Sequence, residues 1–158
     1  MFRCIRDDSV WLESARVEGT QIDTWTANLG VDVSQRTSLV RVRSGKVMTR
    51  AGDTVYCFDA RTGVERWREQ LDFSAPPLGD AHFSGIACYQ DFWLASAEDI
   101  QVRSMATGEL VTTLGRYLGA VDVMQALDDG AVLVGELEEQ GNLISFVCYQ
   151  LSGFLAEV

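Results

Sequence analysis

Apolar residues along this chain come in short runs separated by turn-forming residues. Thr54-Val55-Tyr56-Cys57-Phe58, Phe92-Trp93-Leu94-Ala95 and Ala131-Val132-Leu133-Val134 are rich in β-branched, aromatic and aliphatic side chains and are bounded by Gly, Asp or Ser, the marks of β-strands. Helical spacing at i, i+3, i+4 and i+7 is nowhere sustained over a dozen residues. The only prolines, Pro76 and Pro77, sit together in Phe73-Ser74-Ala75-Pro76-Pro77-Leu78-Gly79, which reads as a rigid connection. The pattern predicts an all-β chain.

The strands recur. Ser14-Ala15-Arg16-Val17-Glu18-Gly19, Asp59-Ala60-Arg61-Thr62-Gly63, Ser104-Met105-Ala106-Thr107-Gly108 and Gln150-Leu151-Ser152-Gly153 place their glycines 44, 45 and 45 residues apart. Each follows an apolar strand, and upstream of each strand lies an Asp-, Gly- or Glu-bearing hairpin turn. A tight reversal between antiparallel strands often needs positive φ, which glycine adopts without steric cost, while a preceding Asp or Thr holds the turn through local hydrogen bonds. Within each repeat four strands are expected, A to D. In the clearest repeat they are Leu39–Arg43, Lys46–Arg50, Thr54–Asp59 and Val64–Leu71, joined by connections too short for helical crossovers.

A period near 45 with four strands per unit is the pattern of a β-propeller blade. The stretch from Gly52 to Trp67 closely resembles the tryptophan-docking repeat of the PQQ-like (quinoprotein-type) propeller family, in which an apolar strand leads to Asp-x-x-Thr-Gly and Trp follows four residues later. That resemblance implies that Trp67 packs between neighbouring blades. The third repeat has Thr112 at the tryptophan position, the first has Asp23 with Trp25 two residues further on, and the last has Glu157. WD-repeat propellers are the second resemblance, although no Trp-Asp dipeptide is present. The expected fold is therefore a single all-β domain over 1–158, a partial propeller of about 3.7 four-stranded antiparallel blades at approximately 1–30, 36–72, 83–115 and 119–158. The first blade lacks strand A, and Phe154–Val158 forms a stub of strand D in the last. An open array leaves sheet edges and an apolar blade face uncovered. The chain is accordingly expected to be a piece of a longer propeller or a half-propeller completed by a partner.

Charge narrows the partners. With 13 basic against 23 acidic residues the formal net charge is −10, whereas a nucleic-acid binder needs a basic face to displace counterions. The arginines at 36, 41, 43 and 50 and at 61, 66 and 68 are interleaved with Glu65, Glu69 and Asp72, which reads as a solvated, ion-paired sheet face. No apolar run nears the ~20 residues of a membrane-spanning helix, and Met1–Asp8 carries no signal-like apolar stretch. The cysteines Cys4, Cys57, Cys88 and Cys148 stand far apart without a C-x-x-C pair. They read as small buried hydrophobes in a reducing compartment, here the cytoplasm; with a signal sequence upstream the location becomes periplasmic or secreted, and the even count then allows a disulfide.

No catalytic, cofactor-binding or metal-binding residue is assigned. The single His82 would need Ser84 or Cys88 as nucleophile, and residues so close along a strand rarely reach one another. Asp7-Asp8, Asp128-Asp129 and Glu138-Glu139 lack the alternating spacing of a calcium loop and fall where hairpins turn. Trp11, Trp25 and Trp93 read as packing between blades. The expected function is a non-enzymatic protein–protein interaction or scaffold module, docking partners on rim loops, with the hairpin at Glu138–Asn142 as the preferred contact. Self-association or the remaining blades of a longer chain are the further partners. The alternatives are part of a quinone-cofactor dehydrogenase propeller, or of an exported assembly factor of the same fold.

Overall fold

The computed structural model describes residues 2–6, 9–18, 20–32, 41–73, 86–97, 99–115, 123–127, 129–137 and 143–151. Its chain divides into two compact units, Met1–Gln70 and Leu71–Val158. In the first unit, β1 (Phe2–Arg6), β2 (Ser9–Glu18) and β3 (Gln21–Asp32) form a three-stranded antiparallel meander. The second sheet of that unit is the four-stranded meander β4 (Arg41–Arg43), β5 (Lys46–Ala51), β6 (Thr54–Asp59) and β7 (Glu65–Gln70). The second unit repeats the plan. β8 (Ile86–Tyr89), β9 (Phe92–Ser96), β10 (Ile100–Ser104) and β11 (Leu110–Thr113) make a four-stranded sheet. β12 (Val123–Ala126), β13 (Ala131–Leu137) and β14 (Leu143–Gln150) make a three-stranded one.

All pairings are antiparallel and between chain neighbours, as meander blades require. The first sheet has no counterpart of strand A among the described residues, and register shows why β1 and β2 are strands B and C. Phe2 pairs with Glu13 as Val47 pairs with Phe58, 45 residues later at both ends. The expected stub at residues 154–158, the prolines and the Asp7-Asp8 turn lie outside the described residues.

Within the first unit the two sheets stack face to face. Val10, Leu12 and Leu29 of the first sheet join Val47, Ala51, Tyr56 and Phe58 of the second in one buried cluster, with Trp25, Ala27 and Ala60 packed at its border. Each fully buried Val, Leu or Phe side chain contributes about 1.5–3 kcal/mol of transfer free energy. The Tyr56 hydroxyl, carried inside by its ring, donates to the Leu29 carbonyl oxygen at 2.8 Å. In the second unit Ile100 and Val102 of the third sheet pack with Met124, Val132, Val134 and Leu151 of the fourth. These are the equivalent faces one repeat-pair later.

Two expectations need correcting. The cysteines are not uniformly buried: Cys57 is buried, Cys88 half-buried and Cys148 exposed, all three as free thiols. Cys148 pairs with Leu133 on the face of the fourth sheet turned away from its core, on a strand at the end of the sheet order where Val147 of the opposite parity is exposed as well. Nor does the first repeat share the glycine turn of the second and third. β2 and β3 pair out to Glu18 and Gln21, extending the hairpin past the position where β6 ends. Five residues separate Ser14 from Gly19, against four from Asp59 to Gly63 and from Ser104 to Gly108, so the capping side chain is out of step with the glycine.

Candidate interaction surface

The turns joining strands C and D are built by the same bonds 45 residues apart. In the second repeat Asp59 Oδ1 accepts from the amides of Arg61 and Thr62, each at 3.0 Å. The Gly63 amide donates to the Asp59 carbonyl at 2.9 Å, and the Asp59 amide donates to Val64 O at 2.9 Å. In the third, Ser104 Oγ accepts from Ala106 and Thr107 at 3.2 and 3.4 Å. Gly108 donates to the Ser104 carbonyl, and Ser104 to Glu109 O, both at 2.9 Å. Thr62 and Thr107 each accept through Oγ1 from the amide two residues on. Gly63 and Gly108 hold φ of +70° and +83°, the left-handed region open to glycine.

A second recurrent bond ties strand C to the A–B turn: Ala60 N to Gly45 O, Met105 N to Asp91 O and Leu151 N to Gly130 O, all at 2.8 Å. Each turn is thus a braced scaffold within its own sheet. What it displays differs between repeats. Arg61, Thr62 and Val64 are exposed at one turn, Val64 by 63%; Ala106, Thr107, Glu109 and Leu110 are exposed at the other, Leu110 by 51%.

Electrostatics follow from the same turn. Arg66 donates to Asp59 Oδ2, and this bond, with the Thr62 and Arg61 amides, holds the Asp59 carboxyl far below the usual carboxylate range. Arg68 makes a paired contact with Glu65, 2.7 Å at both oxygens, which raises its pKa, and it lies 5.4 Å from the Tyr56 ring centre. The face of β7 is therefore ion-paired, as its interleaved charges predict. Arg50 departs from that expectation: its side chain is 2% exposed. On β5 it pairs with the buried Val55, and its Nε donates to Gly52 O at 2.7 Å while Nη2 stays 3.9 Å from Asp53. Burial pulls its pKa down to about 10, against the opposing pull of Asp53.

The tryptophans divide. Trp25 docks on the glycine turn of the next sheet: a Cβ built on Gly63 would stand 2.5 Å from Trp25 Cδ2. The indole Nε1 donates to Ala60 O at 3.1 Å, and the ring lies 6.2 Å from Phe58, centre to centre. This partner was not foreseen for that turn; the visible signal was Trp25 itself, two residues beyond the expected position. Trp67, the tryptophan of the motif, is half-buried opposite Cys57. Trp93 is fully buried, donating to Ser104 O at 3.1 Å beneath the Arg103 guanidinium, and Trp11 is half-buried.

Among the described residues no three His, Cys, Asp or Glu side chains gather as a metal-binding group, and no helix is long and apolar enough to cross a membrane. His82, Ser84, the 138–142 hairpin, Arg36 and Asp128 lie outside the described residues; Asp129 is exposed and receives the Ala131 amide, a turn role.

No family model matches the chain, and no curated protein matches it. Among solved structures it is similar to the computationally designed Ika4 protein, at 18% identity over 94% of this chain and 88% of that one, with a TM-score of 0.53. It is also similar to BamB from Moraxella catarrhalis (17%, TM-score 0.47) and to the WD40 β-propeller domain of Doa1 (15%, 0.46). It covers 94% and 92% of its own length in those matches but spans 48% and 52% of theirs, about half. The sheet order, the recurrent turns and the likeness to Ika4 together make this an all-β chain of propeller-type repeats.

Proposed function

We propose that the chain is a non-enzymatic protein-interaction module that presents its C–D turns to a protein partner. One observation carries the reading: two turns with the same hydrogen bonds hold different exposed tips, Arg61-Thr62-Val64 in one and Ala106-Thr107-Leu110 in the other. A fixed backbone with variable, partly apolar tips is how a rigid scaffold supports recognition. The stacking of Trp25 on Gly63 supports a kinship of these repeats with the tryptophan-docking, PQQ-like type. The exposed free Cys148 thiol suits a reducing compartment such as the cytoplasm.

The test is affinity capture with the wild-type chain, a V64D/L110D chain, and a chain lacking residues 138–142. A partner held by the wild type and lost by V64D/L110D at unchanged melting temperature supports the turns as the contact. Equal recovery by all three removes the rim from the account. Recovery lost only on deleting 138–142 moves the contact to that hairpin.

A further inference from the structure

We propose that the turn end of the second sheet docks an acidic segment of a partner protein, its carboxylates set around an apolar residue. This rests on the interaction-module reading and names the chemistry of its partner. Two turns meet at that end. Residues 44–45 join β4 to β5 and residues 60–64 join β6 to β7, and the Ala60 amide ties the turns together by donating to Gly45 O at 2.8 Å. Register gathers their charges. Arg43 is the cross-strand partner of Lys46, and Lys46 is that of Asp59; Arg61 follows two residues later in the turn.

The cations here fall into two groups. Arg66 is ion-paired with Asp59 and Arg68 with Glu65. Arg43, Lys46 and Arg61 make no ion pair among the described residues. Arg43 and Arg61 are exposed and Lys46 is half-buried. Asp59, the acid nearest in register, already accepts from Arg66 and from the Arg61 and Thr62 amides, so its oxygens are taken. Three cations without a carboxylate, in a chain whose acids outnumber its bases 23 to 13, make a local positive field on an acidic molecule.

The third sheet lacks this field at the same place. There the bond between turns runs from Met105 N to Asp91 O, and the exposed charges are Asp91 and Glu109. Arg103 is half-buried and held by Gln101 and the Gly108 carbonyl. The cationic end therefore belongs to the second sheet alone among these two. An arginine presents a planar fork that takes a carboxylate through two hydrogen bonds, and Val64, exposed by 63% on the same turn, offers the apolar contact. Scale favours protein over nucleic acid: tracking phosphates takes a basic stripe, and three cations do not offset the repulsion of a chain with net charge −10.

The probe is a rhodamine-labelled peptide alternating Glu and Leu, titrated with the intact chain and followed by fluorescence anisotropy. Saturable binding is expected, weakening about tenfold between about 0.05 and 0.5 M salt. R43E/R61E should lower the affinity by about tenfold or more with circular dichroism unchanged, whereas E109Q, on the third sheet, should leave it as it is. No saturable binding by the wild type overturns the proposal, as does binding indifferent to both salt and R43E/R61E. Tighter binding of single-stranded oligothymidylate than of the peptide also overturns it, because the end then reads phosphates. A chain that ignores the peptide yet loses its captured partner through V64D/L110D overturns this site alone and leaves the module reading standing.

Discussion

Gly63→Ala is the sharpest test of how the first unit is held together. The substitution meets two separable penalties. The backbone at Gly63 has φ +70°, and an L-residue in that region is strained by roughly 1–2 kcal/mol. The added methyl would also sit 2.5 Å from Trp25 Cδ2 and 2.6 Å from Cε3, well inside van der Waals contact with a rigid ring. Displacing the indole breaks its bond to Ala60 O, a loss of about 0.5–1.5 kcal/mol, and loosens its packing beside Phe58. The total is roughly 2–4 kcal/mol. Gly45→Ala is the matched control: φ is +71° and nothing lies within 4 Å of the built Cβ, so only the backbone strain of roughly 1–2 kcal/mol applies. Urea unfolding followed by circular dichroism measures both, and a thermal scan should show about 4–8 °C lost per kcal/mol for a unit of this size. In a Trp25→Ala background the excess of Gly63→Ala over Gly45→Ala should vanish, a coupling of about 1–2 kcal/mol. Equal costs for the two glycines, or an excess that survives removal of Trp25, would falsify the docking argument.

Four further outcomes follow. Trp25→Phe keeps an aromatic ring but loses the Nε1 donor, so it should destabilise by about 1 kcal/mol, again by urea unfolding. Arg50→Met keeps an apolar stem at a position 2% exposed and removes a charge whose pKa burial has lowered to about 10. Its former partner Asp53 is 67% exposed and needs no counter-ion, so Arg50→Met should match or exceed wild-type stability while Arg50→Ala loses about 2 kcal/mol or more to the cavity. Asp59 is held below its unfolded value of about 3.9 by Arg66 and two amides; its contribution is present above that pH and fades as pH falls further. Asp59→Asn should therefore flatten the acid limb of a stability-versus-pH curve below about pH 4, and an unchanged limb would remove the turn from acid sensitivity. Finally, Cys148 should react with a thiol reagent in dilute native protein far faster than buried Cys57, a comparison read by mass spectrometry.

What could be read from the sequence was what depends on local chemistry. The extents of β6 and β13 follow from apolar runs between turn residues, and the turn at Asp59–Gly63 follows from an acceptor side chain four residues before a glycine. The same rule carries over to Ser104–Gly108 because serine offers the same acceptor at the same spacing. It fails at Ser14–Gly19, where one extra residue separates cap from glycine and the strands simply run on to Glu18 and Gln21. The misses share a cause, which is that a strand's place in its sheet, inner or terminal, is a property of the fold and not of the run of residues. Cys148 belongs to a run that looks as buried as the one holding Cys57, yet it pairs with Leu133 on the uncovered side. Arg50 looks like one of a solvated series, yet it sits on an inner strand buried on both faces, Thr49 and Ala51 as well as Arg50.

Trp25 joins both halves of that argument. On its own strand it stands opposite Ser14, the equivalent of Asp59 and so two places further along strand C than Cys57, which stands opposite Trp67. The extended first hairpin is what lets a strand-borne indole reach over the glycine of the next sheet. The loss of the glycine turn in the first repeat and the docking of Trp25 on the second are thus one feature. Shortening the β2–β3 hairpin to the length of β6–β7 should abolish the Trp25–Gly63 stack. Gly63→Ala should then be no worse than Gly45→Ala even with the tryptophan retained. That outcome separates a contact set by hairpin length from one set by the presence of an indole anywhere on β3.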